Sequence, residues 1–326
     1  MIKLVVRRFL GMIPLLFAVA LCTFFLVRLA PGDYFSELSL NPQISPETLN
    51  SLRQQYGLDR PWYAQFAAWF WRVLHGDLGY SISYHGPVAS LLGERLFNTV
   101  LLAVSALSLA LLVSFPLGLF AVAARSRWVD RVLALLTSLF LSLPTFLWAL
   151  LALLFAAKSG LFPIGSATSI DHDSLSWSGR VGDVIHHLVL PASVLAVRQV
   201  PGYLRQLSGS LREILGEEYI VAARAKGLAE RAILLKHALR NALNPIVTMF
   251  GQSLGSLLSG AFVVEAIMSW PGIGNLAVSA LLARDLDVVV ACVLYAALLL
   301  AAGNLLADIL LGIVDPRIRI RKAVRA

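Results

Sequence analysis

Six apolar stretches dominate the chain, near residues 9–29, 97–124, 132–157, 188–205, 245–267 and 288–312. Most reach the roughly 20 residues that a helix needs to cross a bilayer, which predicts six spanning helices. The longest polar-to-mixed interval, 30–96, has helical punctuation of its own. Ser45 and Pro46 read as a cap and a first-turn proline, and Gly57 as a stop. In "RPWYAQFAAWFWRVL", Trp62, Phe66, Trp69, Phe70 and Val73 share one helical face, with Arg60 and Arg72 near the ends. That amphipathic helix is expected to roof the bundle or lie on the membrane surface.

The composition agrees: 58% of the residues are hydrophobic and 14% charged, too apolar for one soluble core. The first stretch follows Lys3, Arg7 and Arg8, is long for a signal-peptide core, and reads as a retained span. Cys22 and Cys292 both fall inside spans, where small buried thiols are expected. Placing the N-terminus inside puts the basic residues of 1–8, 125–131, 205–240 and the C-terminal tail in the cytoplasm, and leaves the outside segments slightly acidic. The net charge of +8 is then topological and argues only weakly for nucleic acid, which is not an expected partner. The division is a first span (1–29), an extracytoplasmic helical segment (30–96), a core (97–315) with a cytoplasmic loop (206–244), and a basic tail (316–326).

Three connections carry candidate chemistry. The outside stretch 158–187 contains "SIDHDSLSWSG" and then His186 and His187, without fixed metal-ligand spacing, so it reads as a solvated loop. The stretch 268–287 contains "SWPGIGNL", whose Pro271 and glycines predict a turn back into the membrane and a gate formed by Trp270, Pro271 and Gly272. The cytoplasmic "EYIVAARAKGL" begins after Glu217 with Glu218 and Tyr219 and ends on Arg224 and Lys226, the charge order that a helix dipole favours. Gly227 then stops it. Ala222 and Ala223 leave one side bare, with Ala223 expected to face another protein's groove; a solvated loop helix is the equal alternative.

Within the spans, "GQSLG" at 251–255 resembles a nucleophile elbow around Ser253 but lies in a helix. Gly251, Gly255 and Ser259 read better as small-residue packing. No phosphate-binding loop and no paired-cysteine or H-E-x-x-H metal motif occurs, so ATP hydrolysis is not expected of this chain. Arg198 lies midway along the fourth span, where a lipid-facing charge costs roughly 2.5–3.5 kcal/mol, so it must face protein or water. It either pairs with an acid such as Asp308 or meets a passing carboxylate. Glu265 lies nearer a span end and is a further pathway candidate.

The segment "EYIVAARAKGLAERAILLKHALRNALNPIV" resembles the cytoplasmic loop of ABC importer permeases of the dipeptide, oligopeptide and nickel group. "RRFLGMIPLLFAVALCTFFLVRLAPGD", "YGLDRPWYAQFAAWFWRVLHGDLGYS", "VVEAIMSWPGIGNL" and "DPRIR" resemble its first, B-type permease in the same order. The resemblance implies an all-α type I importer fold in a bacterial inner membrane, both termini cytoplasmic. Residues 218–227 would form the coupling helix, with Ala222, Ala223 and Gly227 on the A, A and G of the group's pattern and Val221 in place of its Glu. Tyr34 and Asp287 stand where prolines are common. Implied partners are a second homologous permease, two ATPase subunits holding ATP and Mg, an extracytoplasmic binding protein, membrane lipid and a peptide substrate. A nickel-chelate or glutathione-type permease, a self-sufficient secondary transporter, and a hydrolase using Ser253 are the alternatives.

Overall fold

The computed structural model describes residues 2–29, 32, 34–36 and 44–314. The tail, the "DPRIR" stretch and the side chain of Ser259 lie outside the described residues. Helix α1 (Ile2–Leu29) is followed by α2 (Pro46–Gln55) and α3 (Trp62–Leu74). Ser45 caps α2, its hydroxyl accepting from the Thr48 amide at 3.1 Å, and Gly57 ends it at φ 66°. The aromatic face of α3 packs on α1, where Trp69 and Phe66 bury against Phe24 and Ala20. Trp62 instead sits at the edge, stacked edge-on to Phe25 and partly exposed.

Not all of the segment between α1 and the next long helix is helical. Strands β1 (Tyr80–Ser81) and β2 (Gly86–Pro87) form a short antiparallel ribbon, a departure from the expected all-α chain. Helix α4 (Val88–Ala124) then begins earlier than the span start expected at 97. The third expected span is not one rod. Helices α5 (Arg127–Ser142) and α6 (Thr145–Ser159) meet at 97°, because Pro144 has no N–H to donate and drives Leu143 into extended backbone at φ −97°, ψ 134°.

Helix α7 (Trp177–Leu215) runs for 39 residues, well beyond the expected 188–205, and continues through Pro191 and Pro201. At 1.5 Å per residue it is about 58 Å long, nearly twice a hydrocarbon core of about 30 Å. It packs along α4, where Gly118 leaves just enough room for Leu207. After α8 (Glu218–Ala225) and α9 (Glu230–Ala232), a π-helical stretch, Ile233–Ala238, leads into α10 (Leu239–Gly260). The chain closes with α11 (Phe262–Ile267), α12 (Ile273–Leu282) and α13 (Leu286–Val314).

Helices α10 and α13 cross at backbone contact. A Cβ on Gly303 would lie 2.5 Å from the Gly255 Cα, and one on Gly251 would overlap Ala307. The small-residue reading of "GQSLG" thus has its geometric counterpart, and Ser253 lies inside a continuous helix rather than at a strand-to-helix elbow. Among the described residues, α1, α4, α7 and α13 are long and apolar enough to cross a membrane, and the bent α5–α6 pair makes a fifth candidate. Helix α10 has the length, but Asn244, Gln252, Ser253 and Ser256 dilute its apolar character. The architecture is therefore an all-helical membrane fold apart from the β1–β2 ribbon.

Candidate functional site

The turn of chain between α7 and α10 carries the most distinctive local chemistry. Helix α8 ends in a double hydrogen-bonded cap: the Gly227 amide donates to the Arg224 carbonyl at 2.9 Å and the Leu228 amide to the Ala223 carbonyl at 3.3 Å. This places Gly227 at φ 80°, where a side chain is strained whatever the space around it. Inward, Ile220 is fully buried, and the helix packs against the π-helical stretch. Outward, Glu218, Val221, Ala222 and Ala225 are exposed and recur at helical spacing.

Ala223 is not on that outer face. Three residues after buried Ile220, it turns inward and is half-buried beside Arg224, so Ala222 is the bare position that faces out. Glu217 lies at the N-cap, and Tyr219 accepts a hydrogen bond from Asn241 Nδ2 at 2.9 Å. Lys226 is exposed at the C-cap.

Arg224 is a clamp rather than a simple dipole charge. Its Nε donates to Glu230 Oε1 at 2.8 Å, while Arg125 Nη2 donates to Glu230 Oε2 at 3.0 Å. One carboxylate thus joins α8 to the turn between α4 and α5. The hydrogen-bonded Arg224 guanidinium, with Arg125 beside it, holds the Glu230 carboxyl below its ordinary value of 4.5. Arg212 adds a second tie, from α7 to Asp130 of α5. Glu230 and Arg125 were not legible as a pair in the sequence, since 105 residues separate them.

Arg198 opens onto a groove of about 1070 Å³ between α7, the α5–α6 bend and α10. It is exposed within this chain, and the pair with Asp308, one of the two alternatives, does not form: Asp308 lies 2.8 Å from Arg8 of α1 instead. On the same face of α7, Gln199, Arg205, Gln206, Ser210 and Glu213 continue the lining.

The "SWPGIGNL" stretch, the expected gate, is a packed and hydrogen-bonded turn. Glu265 and Trp270 are completely buried. The Glu265 carboxylate accepts from Thr99 Oγ1 at 2.8 Å and from the Gly274 amide at 2.6 Å, and Trp270 Nε1 donates to the Asn98 carbonyl at 3.1 Å. Asn98 Nδ2 in turn donates to the Pro271 carbonyl at 2.9 Å, and Gly272 lets the carboxylate approach where a Cβ would overlap it. These residues pin the α11–α12 turn to α4. A buried carboxylate would be costly unpaired, and these donors explain how it is tolerated.

Two further sets of contacts lie in the segments expected outside. His172 and His187 both contact the Asp183 carboxylate, at 2.7 and 3.3 Å, which fastens the expected solvated loop onto the first turns of α7. Asp285 accepts from Ser81 Oγ at 2.7 Å, and Asp287 pairs with Arg72 at 3.3 Å, so Asp287 helps latch α3 to α13. Cys292 is buried but Cys22 is exposed, because the described side chains of α1 that pack on α3, among them Ala20, Leu21 and Phe24, lie on another face.

Comparison with known proteins matches residues 114–320 to the family described as "Binding-protein-dependent transport system inner membrane component". Residues 1–103 match "Binding-prot-dependent transport system membrane comp, N-term". The oligopeptide transport system permease protein AppB of Bacillus subtilis (strain 168) is 38% identical over 316 residues, 96% of this chain and 98% of that protein. The dipeptide transport system permease protein DppB of Escherichia coli (strain K12) is 36% identical over 339 residues, 99% of this chain and 100% of that protein.

Proposed function

We propose that this chain, which belongs to the family of binding-protein-dependent transport system inner membrane components, is one of two permease subunits of an ATP-driven peptide importer. The observation that carries the reading is α8, a short capped helix whose small outer face, Val221, Ala222 and Ala225, is exposed while its inner face is clamped. Such a face suits insertion into a groove on a separate ATPase, because little side-chain volume stands between the two backbones. ATP and Mg belong to those partners.

The chain crosses the membrane six times with both termini in the cytoplasm; α10 with α11 supplies the fifth span beside α13. The basic residues of 125–131 and 205–240 then flank α8 on the inside, as the positive-inside rule requires. The ribbon, α2 and α3 lie outside, where a loaded binding protein delivers its cargo. Closure of the ATPases displaces α8, and the movement passes through Ile220 and the Arg224–Glu230–Arg125 clamp into α7 and α4. The groove beside α7 forms half of the pathway, and the second permease closes it.

The test is co-purification and labelling of the assembled complex. Single cysteines at positions 50 and 210 should label from outside and inside respectively, and the chain should retain its ATPase partners through purification. Reversed labelling, or a chain that takes up peptide without any ATPase, would refute the assignment.

A further inference from the structure

The polar face of α7 is longer than a single buried charge requires. Arg198, Gly202, Arg205 and Gly209 follow one another at helical spacing and are all exposed. Arg198 and Arg205 line the same groove, and the two glycines leave its floor at backbone depth beside them. A Cβ on Gly202 would reach only the Met249 methyl, at 3.6 Å, and one on Gly209 would meet nothing within 4 Å. Among the described residues, no carboxylate pairs with either arginine. Arg212, one further helical step along, is by contrast tied to Asp130. The stripe closes at Glu213, also on the groove.

Resting on the importer reading, we propose that Arg198 and Arg205 are two successive stations for the side-chain carboxylates of acidic peptides in transit. A lipid-facing guanidinium at the middle of a span is costly, so Arg198 turns to protein or to the water and cargo of the groove. Guanidinium offers a planar fork that matches a carboxylate, so both stations recognise the same group. Seven residues of helix separate them by about 10.5 Å along the axis. That distance is about the length of three extended residues, so a short peptide can engage the second station as its carboxylate leaves the first. Glu213, past Arg205, repels the anion and favours its release.

The experiment uses the complete complex in proteoliposomes, with binding protein and ATPases, at saturating peptide. Uptake of the acidic tripeptide Ala-Glu-Ala is compared with that of the basic Ala-Lys-Ala, and ATPase stimulation is recorded in parallel. Replacing a charge-assisted pair at one station should lower the acidic-to-basic rate ratio about 10-fold in Arg198→Gln and in Arg205→Gln, with ATPase stimulation retained. Arg198→Lys and Arg205→Lys, which keep the charge and lose the fork, should lower it by about 3-fold. Should the glutamine variants fail to assemble, the lysine variants decide, and a wild-type ratio in both overturns the proposal. An unchanged ratio in stimulated glutamine complexes, or equal slowing of both peptides, also overturns it. A wild-type complex that takes up neither peptide refutes the importer reading itself, and the two stations with it.

Discussion

Substitution at Gly227 isolates the backbone conformation that ends α8. The residue holds φ 80°, and a Cβ built on it meets nothing within 4 Å, so steric overlap with neighbours contributes no penalty. What remains is the intrinsic cost of the left-handed region, roughly 1–2 kcal/mol for an ordinary side chain and greatest for a β-branched one. Asparagine visits that region readily and should cost little. Since 1.4 kcal/mol is a factor of ten, Gly227→Val should open the cap about 5–30-fold more often, while Gly227→Asn stays close to wild type. The assay is amide exchange at Leu228 in the purified complex, because that amide donates to the Ala223 carbonyl only while the cap is closed. ATPase retention is measured on the same samples and should fall with Val and persist with Asn. Equal damage by Val and Asn would refute the conformational argument and assign the effect to side-chain bulk at a partner surface.

Three further outcomes follow from the same geometry. Ala222→Trp should abolish ATPase co-purification while leaving the chain inserted and thermally intact, whereas Ala223→Trp, turned toward Ile220, should loosen the α8 region itself in amide exchange. Glu230 has a depressed pKa, so its clamp is present above the ordinary value of 4.5 and lost as pH falls through the lower folded value. Coupling should therefore hold from pH 8 down to about 5, and Glu230→Gln should raise exchange across residues 218–228 at every pH in that range. Gly303→Ala would push a methyl to 2.5 Å from the Gly255 Cα, and prying α10 from α13 should cost roughly 1–3 kcal/mol, read as a lower melting temperature in detergent.

Local sequence determined several elements directly, because their causes are local. The Ser45–Pro46 start of α2, the glycine ends at 57 and 227, and the apolar character of the spanning helices all depend on residues within a few positions of one another. Family membership was legible for the same reason, in contiguous motifs. Tertiary structure decided what depends on direction and on distant partners. The helical phase set by buried Ile220 turned Ala223 inward and Ala222 outward, although both read as equally bare. Pro144 broke a run that hydropathy alone joined, and α7 grew through Pro191 and Pro201 because packing on α4 outweighs two missing amide donors. Asp308 found Arg8 rather than Arg198, Glu230 found Arg125, and Glu265 found Thr99 across 166 residues. Hydropathy records how costly a buried charge is; only the packing of helices distant in sequence supplies the donor that offsets it.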